Sequence, residues 1–266
     1  MARHLLVEHR EVAAFITINR PEKRNAISHE MWLELAMIFE RISIDPSVDV
    51  VVIRGAGTDF SAGGDLNNLD DVYDRPAAER VAIMRDIMTR ETTPMFLALD
   101  RLPQPVICSI RGHIIGASVQ FAMMADLVLA SETARFWLPF VGIAQTTCHG
   151  ESYSFPRKIG LSRALQLTLL SEPFGASDAE RYGIVNWVTT DAELEDRTEA
   201  VLRKLLEAPR TSTLATKALL RTRSASDAEE CFQAEAKRML ECVASENFSE
   251  AIRAFKAKRS PRYSRA

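Results

Sequence analysis

The 266-residue sequence has no apolar run near the ~20 residues that a membrane-crossing helix needs. Its first residues, Met1 to Glu8, have no long apolar core of the kind a secretory signal carries. The four cysteines, Cys108, Cys148, Cys231 and Cys242, show no C-x-x-C spacing, which excludes the usual zinc ribbons and argues against a disulfide framework. Excess charge is missing too. With 33 Lys and Arg against 36 Asp and Glu, the formal net charge is −3, so neither nucleic acid nor an anionic membrane is an expected partner. Low-complexity linkers are absent. These gaps leave a cytoplasmic, metal-free globular protein with an ordinary apolar fraction of 47%.

What is present alternates between strands and helices. Residues 12–18 read as a buried strand, followed by the turn-like Asn19-Arg20-Pro21-Glu22-Lys23-Arg24-Asn25. Ser28 is placed to cap a helix that carries Met31, Leu35, Ile38, Phe39 and Ile42 on one face. Val50 to Ile53 form a continuous apolar strand, of the kind buried on both faces. Residues 67–93 show little periodicity before Val81, and further strands are expected at 106–110, 127–130, 134–136 and 184–188. A helix is expected over 162–170, and another between a Ser177 cap and Gly183. From about residue 191 strands stop, and 192–207, 212–222, 227–245 and 249–258 read as amphipathic helices. The division that follows is a core over 1–195 and a C-terminal helical region over 196–266.

The stretch Ile107 to Asp126 reads as a buried strand, a turn at Gly112 and an apolar helix opening with Gly116, Ala117 and Ser118. His113 falls in the turn. Small residues at a helix start let a ligand approach backbone N–H groups that lack an intrahelical partner. Such an end favours negative charge, including charge that develops only in a transition state.

Four motifs in order resemble the crotonase superfamily, the enoyl-CoA hydratase/isomerase family. Asn19 to Ile27 is similar to N-R-P-x-x-x-N-A-(L/I), and Phe60-Ser61-Ala62-Gly63-Gly64-Asp65-Leu66 to F-x-A-G-x-D-(L/I). Arg111 to Ala117 is similar to N-G-x-x-x-G-G, and Phe248 to Pro261 to the closing motif of the family. The resemblance implies an α/β fold: a spiral of ββα repeats in two stacked sheets, with C-terminal helices that build a homotrimer or a hexamer of two trimers. It implies a coenzyme A thioester as substrate and no permanently bound cofactor. It carries the backbone donors of an oxyanion hole to Gly64 and Ala117. Ala62 matches an adenine-contacting residue, Lys23 and Arg24 are placed for phosphates, and Phe255 and Lys258 match residues that contact the CoA of an adjacent subunit.

The departures from that pattern fall on the chemistry. The two glutamates that handle water in the family's hydratases align with Gln120 and Phe140, neither of which can transfer a proton. The positions of the aspartates used by its dienoyl-CoA isomerases and chlorobenzoyl-CoA dehalogenases, and by its diketone hydrolases, read Cys148 and His149. Two-glutamate hydration is therefore not expected. His149 is the candidate general acid or base, and Cys148 a candidate nucleophile if its thiolate is stabilised. Glu151 is a candidate replacement carboxylate, or simply an acid in a helix first turn. Asp65 is expected to fix its own loop, and Trp137 with Phe140 to form an aromatic wall or ordinary core. Asp70, Asp71, Asp86 and Glu91 lie in the segment that lines the acyl pocket in the family. Three readings stay open: a thioester enzyme with an oxyanion hole and a non-standard base, a hydrolase or isomerase using His149 and Cys148, and a silent acyl-CoA-binding subunit.

Overall fold

A computed structural model describes residues 4–69, 72–208, 210–221 and 225–262. The chain runs β1 (Leu5–Arg10), β2 (Ala13–Ile18), α1 (His29–Ile44), β3 (Val50–Gly55), α2 (Ala77–Ile87), a π-helical turn (Met88–Thr92) and α3 (Thr93–Asp100). Next come β4 (Val106–Ile110), β5 (His113–Ile115), a 3-10 turn (Gly116–Ser118), α4 (Val119–Met124), β6 (Leu127–Ser131) and β7 (Arg135–Trp137). The remainder is α5 (Glu151–Ile159), α6 (Leu161–Leu170), β8 (Phe174–Gly175), α7 (Ala176–Arg181), β9 (Trp187–Thr189), α8 (Leu194–Leu206), α9 (Arg210–Leu220), α10 (Ala225–Val243) and α11 (Glu246–Lys256).

Two sheets result, in the order β1-β2-β3-β4-β6-β9 and β5-β7-β8. In the larger sheet only β1 runs antiparallel to its neighbour. Its central strands are buried on both faces, which is why they read as continuous apolar runs rather than alternating ones. Ile16, Ile53, Cys108 and Val128 face a core shared with α1, α3 and α4. Phe15, Val52, Ile107 and Leu129 face the other way, against Leu194, Val201 and Leu202 of α8. Thr198 of α8 lies 3.0 Å from the Ser109 hydroxyl of β4. Residue 195, the expected domain boundary, thus falls inside a helix that seals the main sheet.

Other expectations shift by physical causes that can be named. β1 has one buried side chain followed by exposed ones, and an edge strand of this kind carries no apolar alternation to mark it in the sequence. His113 is not in a turn but opens β5, and the helix beyond begins as a 3-10 turn. The cap of α7 is Gly175 rather than Ser177. The last strand spans Trp187–Thr189, later than the apolar run suggested.

The wide turn at Met88–Thr92 has a local cause. Pro94 cannot donate an N–H inside a helix and crowds the preceding turn, and one wide turn relieves both problems. The C-terminal helices are then tied down by Arg80 of α2. Its guanidinium donates to the carbonyls of Val243 (3.0 Å), Ala244 (3.1 Å) and Ser245 (3.0 Å), and also to the Ser249 hydroxyl. No helix among the described residues is long and apolar enough to cross a membrane.

Candidate active site

Two loops meet at the site, held by the polar side chains of Asn25, Ser61 and Ser118. Asn25 is fully buried, and its amide donates to the carbonyls of Ala56 (2.8 Å) and Asp59 (2.7 Å) while accepting the Arg20 N–H (2.9 Å). The Ser61 hydroxyl donates to Asn25 O and accepts the Gly63 N–H. Ser61 also pairs with the small sheet, through bonds from Ser61 N to His113 O and from Ile115 N to Ser61 O. The Ser118 hydroxyl closes the junction, accepting the Ile115 N–H at 2.8 Å and donating to Ser61 O at 2.9 Å. Asp65 fixes its own loop as expected, pairing with Arg20 at 3.1 Å and accepting the Asn67 N–H.

This bracing sets the Gly63-Gly64 turn against the Gly116-Ala117 turn. Gly63 has φ +85°, and a Cβ there would lie 2.5 Å from Ile115 O and 3.6 Å from Ala117 N. Only glycine allows both the left-handed backbone and that approach. Ile27 bridges to Gly64 on the other side.

Beside the paired turns opens a cavity of about 550 Å³. Of the residues singled out in the sequence, Lys23, Arg24, Ala62, Gly64, Ala117, Phe140, Cys148, His149 and Phe255 line it. Trp137 and Phe140 belong to its wall. Gln120, Glu151 and Lys258 are not among the lining residues. Gln120 is fully buried, with its carbonyl accepting the Ser154 hydroxyl at 2.8 Å. Glu151 lies behind His149, and Lys258 is exposed past the end of α11. Phe255 reaches the cavity of its own chain, whereas the resemblance placed it on a neighbour's ligand. Asp70 and Asp71 lie outside the described residues. Asp86 is turned away, 3.7 Å from Arg90 on an exposed helix face. His113 pairs with Asp59 at 2.7 Å, apart from the cavity lining.

The 148–151 turn carries the titratable groups. The His149 ring sits between Phe96 and Phe140, with centroids 5.7 and 5.8 Å away. Its Nδ1 is hydrogen-bonded to Cys148 Sγ at 3.4 Å, and Glu151 Oε1 lies at the same distance, beyond an ideal hydrogen bond to oxygen. Glu151 Oε2 accepts the backbone N–H groups of Cys148 (3.1 Å) and His149 (2.7 Å). Glu235 of α10 accepts those of Gly150 and of Ser152, the latter at 2.5 Å. Two carboxylates therefore satisfy the N–H groups around the start of α5. Gly150 permits this close packing, because a Cβ there would lie 2.6 Å from the Phe232 ring.

Burial pushes the Cys148 thiol up, and His149 offsets this only in part. Burial also opposes a charged His149, but Cys148 and Glu151 outweigh it and hold the imidazole well above its ordinary 6.5. Of the two, Cys148 is the larger cause and Glu151 the smaller. Burial raises Glu235 to about 7, and the neighbouring Glu151 adds to the effect. No cluster able to hold a metal ion occurs among the described residues.

Sequence reasoning missed Glu235, which reads as one more acid on an amphipathic helix. It also missed His29, which lines the cavity, and the bond from its Nδ1 to Glu91 at 2.6 Å. Nothing in the spacing of 29, 91 and 235 joins these residues before the chain is folded.

The model of the enoyl-CoA hydratase/isomerase family matches residues 8–266. A 4-chlorobenzoyl coenzyme A dehalogenase from an Arthrobacter species is 29% identical over 96% of this chain and 91% of its own. The 1,2-epoxyphenylacetyl-CoA isomerase of Escherichia coli is 29% identical over 93% of each chain. The crystal structure of an enoyl-CoA hydratase from Mycobacterium avium subsp. paratuberculosis superimposes with a TM-score of 0.85 at 28% identity, covering 99% of this chain and 100% of that one. With two sheets, mixed α/β content and a match along almost its whole length, the chain belongs to the enoyl-CoA hydratase/isomerase family and is an acyl-CoA-processing enzyme of the crotonase fold.

Proposed function

We propose that this enzyme binds a coenzyme A thioester with its carbonyl oxygen against the N–H groups of Gly64 and Ala117, and uses His149 as its acid–base group. Two fixed donors of this kind stabilise an enolate or a tetrahedral oxyanion by roughly 3–4 kcal/mol each. The observation that carries the reading is the His149 ring at the cavity wall, held between two phenylalanines with a buried carboxylate behind it. Glu151 keeps the imidazole oriented and favours its protonated form. Two-glutamate hydration has no equivalent here, since Gln120 is not part of the cavity lining and Phe140 presents only a ring.

The chemistry this allows is double-bond isomerisation through an enolate, or hydrolysis through a tetrahedral oxyanion with His149 as the assisting group. A buried thiol pushed to higher pKa makes Cys148 a poor nucleophile, so Cys148 is assigned to packing beside His149. Lys23 and Arg24, both exposed at the cavity lining, are assigned to the phosphates of CoA, and Ala62 to its adenine. Lys258 is assigned to the CoA of an adjacent subunit, in a homotrimer or a hexamer. An exposed apolar stripe, Leu161, Leu165 and Leu169 of α6, supports assembly; sedimentation at the mass of a single chain would remove that part.

A panel of CoA thioesters, beginning with crotonyl-CoA, tests the proposal by melting temperature and by mass spectrometry of products. At least one thioester should raise the melting temperature and be turned over, and His149→Ala should cost tenfold or more in rate. No shift with any thioester would overturn it. Binding without turnover would leave the silent-subunit reading in its place.

A further inference from the structure

The cavity carries a second imidazole backed by a carboxylate. His29, the first residue of α1, lines it, and its Nδ1 lies 2.6 Å from Glu91 Oε2. An ionised carboxylate only accepts, so Nδ1 carries the proton and Nε2 is the basic nitrogen of the neutral ring. Ile27, two residues earlier, bridges to Gly64, and His29, Gly64 and Ala117 line the same cavity. Thr92, next to Glu91, also lines the cavity. It is 3% exposed, and its hydroxyl has no hydrogen-bond partner within the protein. Both Glu91 and Thr92 belong to the π-helical turn, a local widening of the kind often found at functional sites.

We propose that His29 is a second catalytic residue, a general base that takes a proton from the carbon next to the thioester carbonyl, with Glu91 as its positioning residue. This rests on the thioester reading above. The C–H bond breaks and an Nε2–H bond forms. The freed electron pair becomes the carbon–carbon π bond of an enolate, and the carbonyl π pair moves to the oxygen between Gly64 and Ala117. Return of a proton from His29 to the same carbon gives exchange. Delivery from His149 to a different carbon of an unsaturated acyl group gives isomerisation. The exchange route returns His29 to its starting state; after isomerisation His29 holds the proton that His149 has given up, proton exchange with water resets both rings, and two imidazoles take the place of the two absent glutamates.

The test is deuterium incorporation into butanoyl-CoA in D₂O, followed by mass spectrometry, with affinity measured in parallel. Wild-type protein should bind and exchange. His29→Gln should bind within about threefold of wild type and exchange at least tenfold more slowly, and Glu91→Gln should slow exchange as well. Ring-nitrogen NMR of histidine-labelled wild-type protein gives a readout that does not depend on any variant folding. His29 should show a protonated Nδ1 and an Nε2 signal that moves on adding butanoyl-CoA. Wild-type exchange rates in His29→Gln, binding without exchange, or a His29 ring indifferent to the ligand would each overturn the proposal. Failure to bind any thioester would overturn the underlying reading first and this one with it.

Discussion

At the residue scale, the decisive contrast is between side chains that face the cavity and side chains that hold them there. Glu151 spends one oxygen on the backbone of the turn and aims the other at His149. Replacing it by Gln removes the negative charge that favours the imidazolium. If His149 works as an acid, its activity falls as pH rises through its raised pKa. Glu151→Gln should therefore move that alkaline limb to lower pH, as a pH–rate profile would show; an unmoved limb would separate Glu151 from His149. Gly63 makes a different kind of demand. Alanine there must adopt a left-handed backbone at a cost of about 1–2 kcal/mol, and its methyl would also press on Ile115 O at 2.5 Å. Gly63→Ala should lower the melting temperature and weaken thioester binding together, because the collision pushes directly on the Ala117 turn. A variant with normal stability and affinity would show that the two turns are not coupled.

At the scale of elements, the cavity is closed by helices that come from the end of the chain. Met239 of α10 and Ile252 of α11 form part of its lining, and Arg80 anchors the α10–α11 corner. Arg80 is 2% exposed, so truncating it leaves several carbonyls and a hydroxyl buried without a donor. Arg80→Ala should cost at least the roughly 1–3 kcal/mol of an orphaned buried acceptor. Hydrogen exchange should rise first in α10 and α11 while the strands stay protected; uniform loosening of the whole chain would argue against a local anchor. The elements also show what the sequence could reveal. Strands buried on both faces announce themselves as apolar runs, and the segments 19–27, 60–66 and 111–117 carry residues needed for their own geometry. Asn25, Gly63 and Gly116 are legible for that reason. The edge strand β1 and the short strand β5 lack such a signature. The pairing of His29 with Glu91, and of Glu235 with the 150–152 backbone, depends on contacts across 62 and more residues that no local pattern encodes.

At the scale of the whole molecule, stability and the state of the site are linked through Glu235. Its folded value of about 7 lies above the ordinary 4.5. The folded protein therefore keeps a proton that the unfolded chain releases, and this contribution is lost as pH rises through about 7. The melting temperature should decline from pH 5 toward pH 8 by an amount that Glu235→Gln reduces; identical slopes in the two proteins would remove Glu235 as the cause. The same buried carboxylate ties α10 to the turn that carries His149, so fold stability and the geometry of the candidate site share one contact.

The central claim is that this fold polarises a thioester between the N–H groups of Gly64 and Ala117. Infrared difference spectroscopy of butanoyl-CoA carrying ¹³C at the thioester carbonyl reads that directly. The carbonyl stretch should move to lower frequency on binding, as two donors draw charge onto the oxygen. A bound thioester whose carbonyl stretch stays at its solution frequency or rises would contradict it.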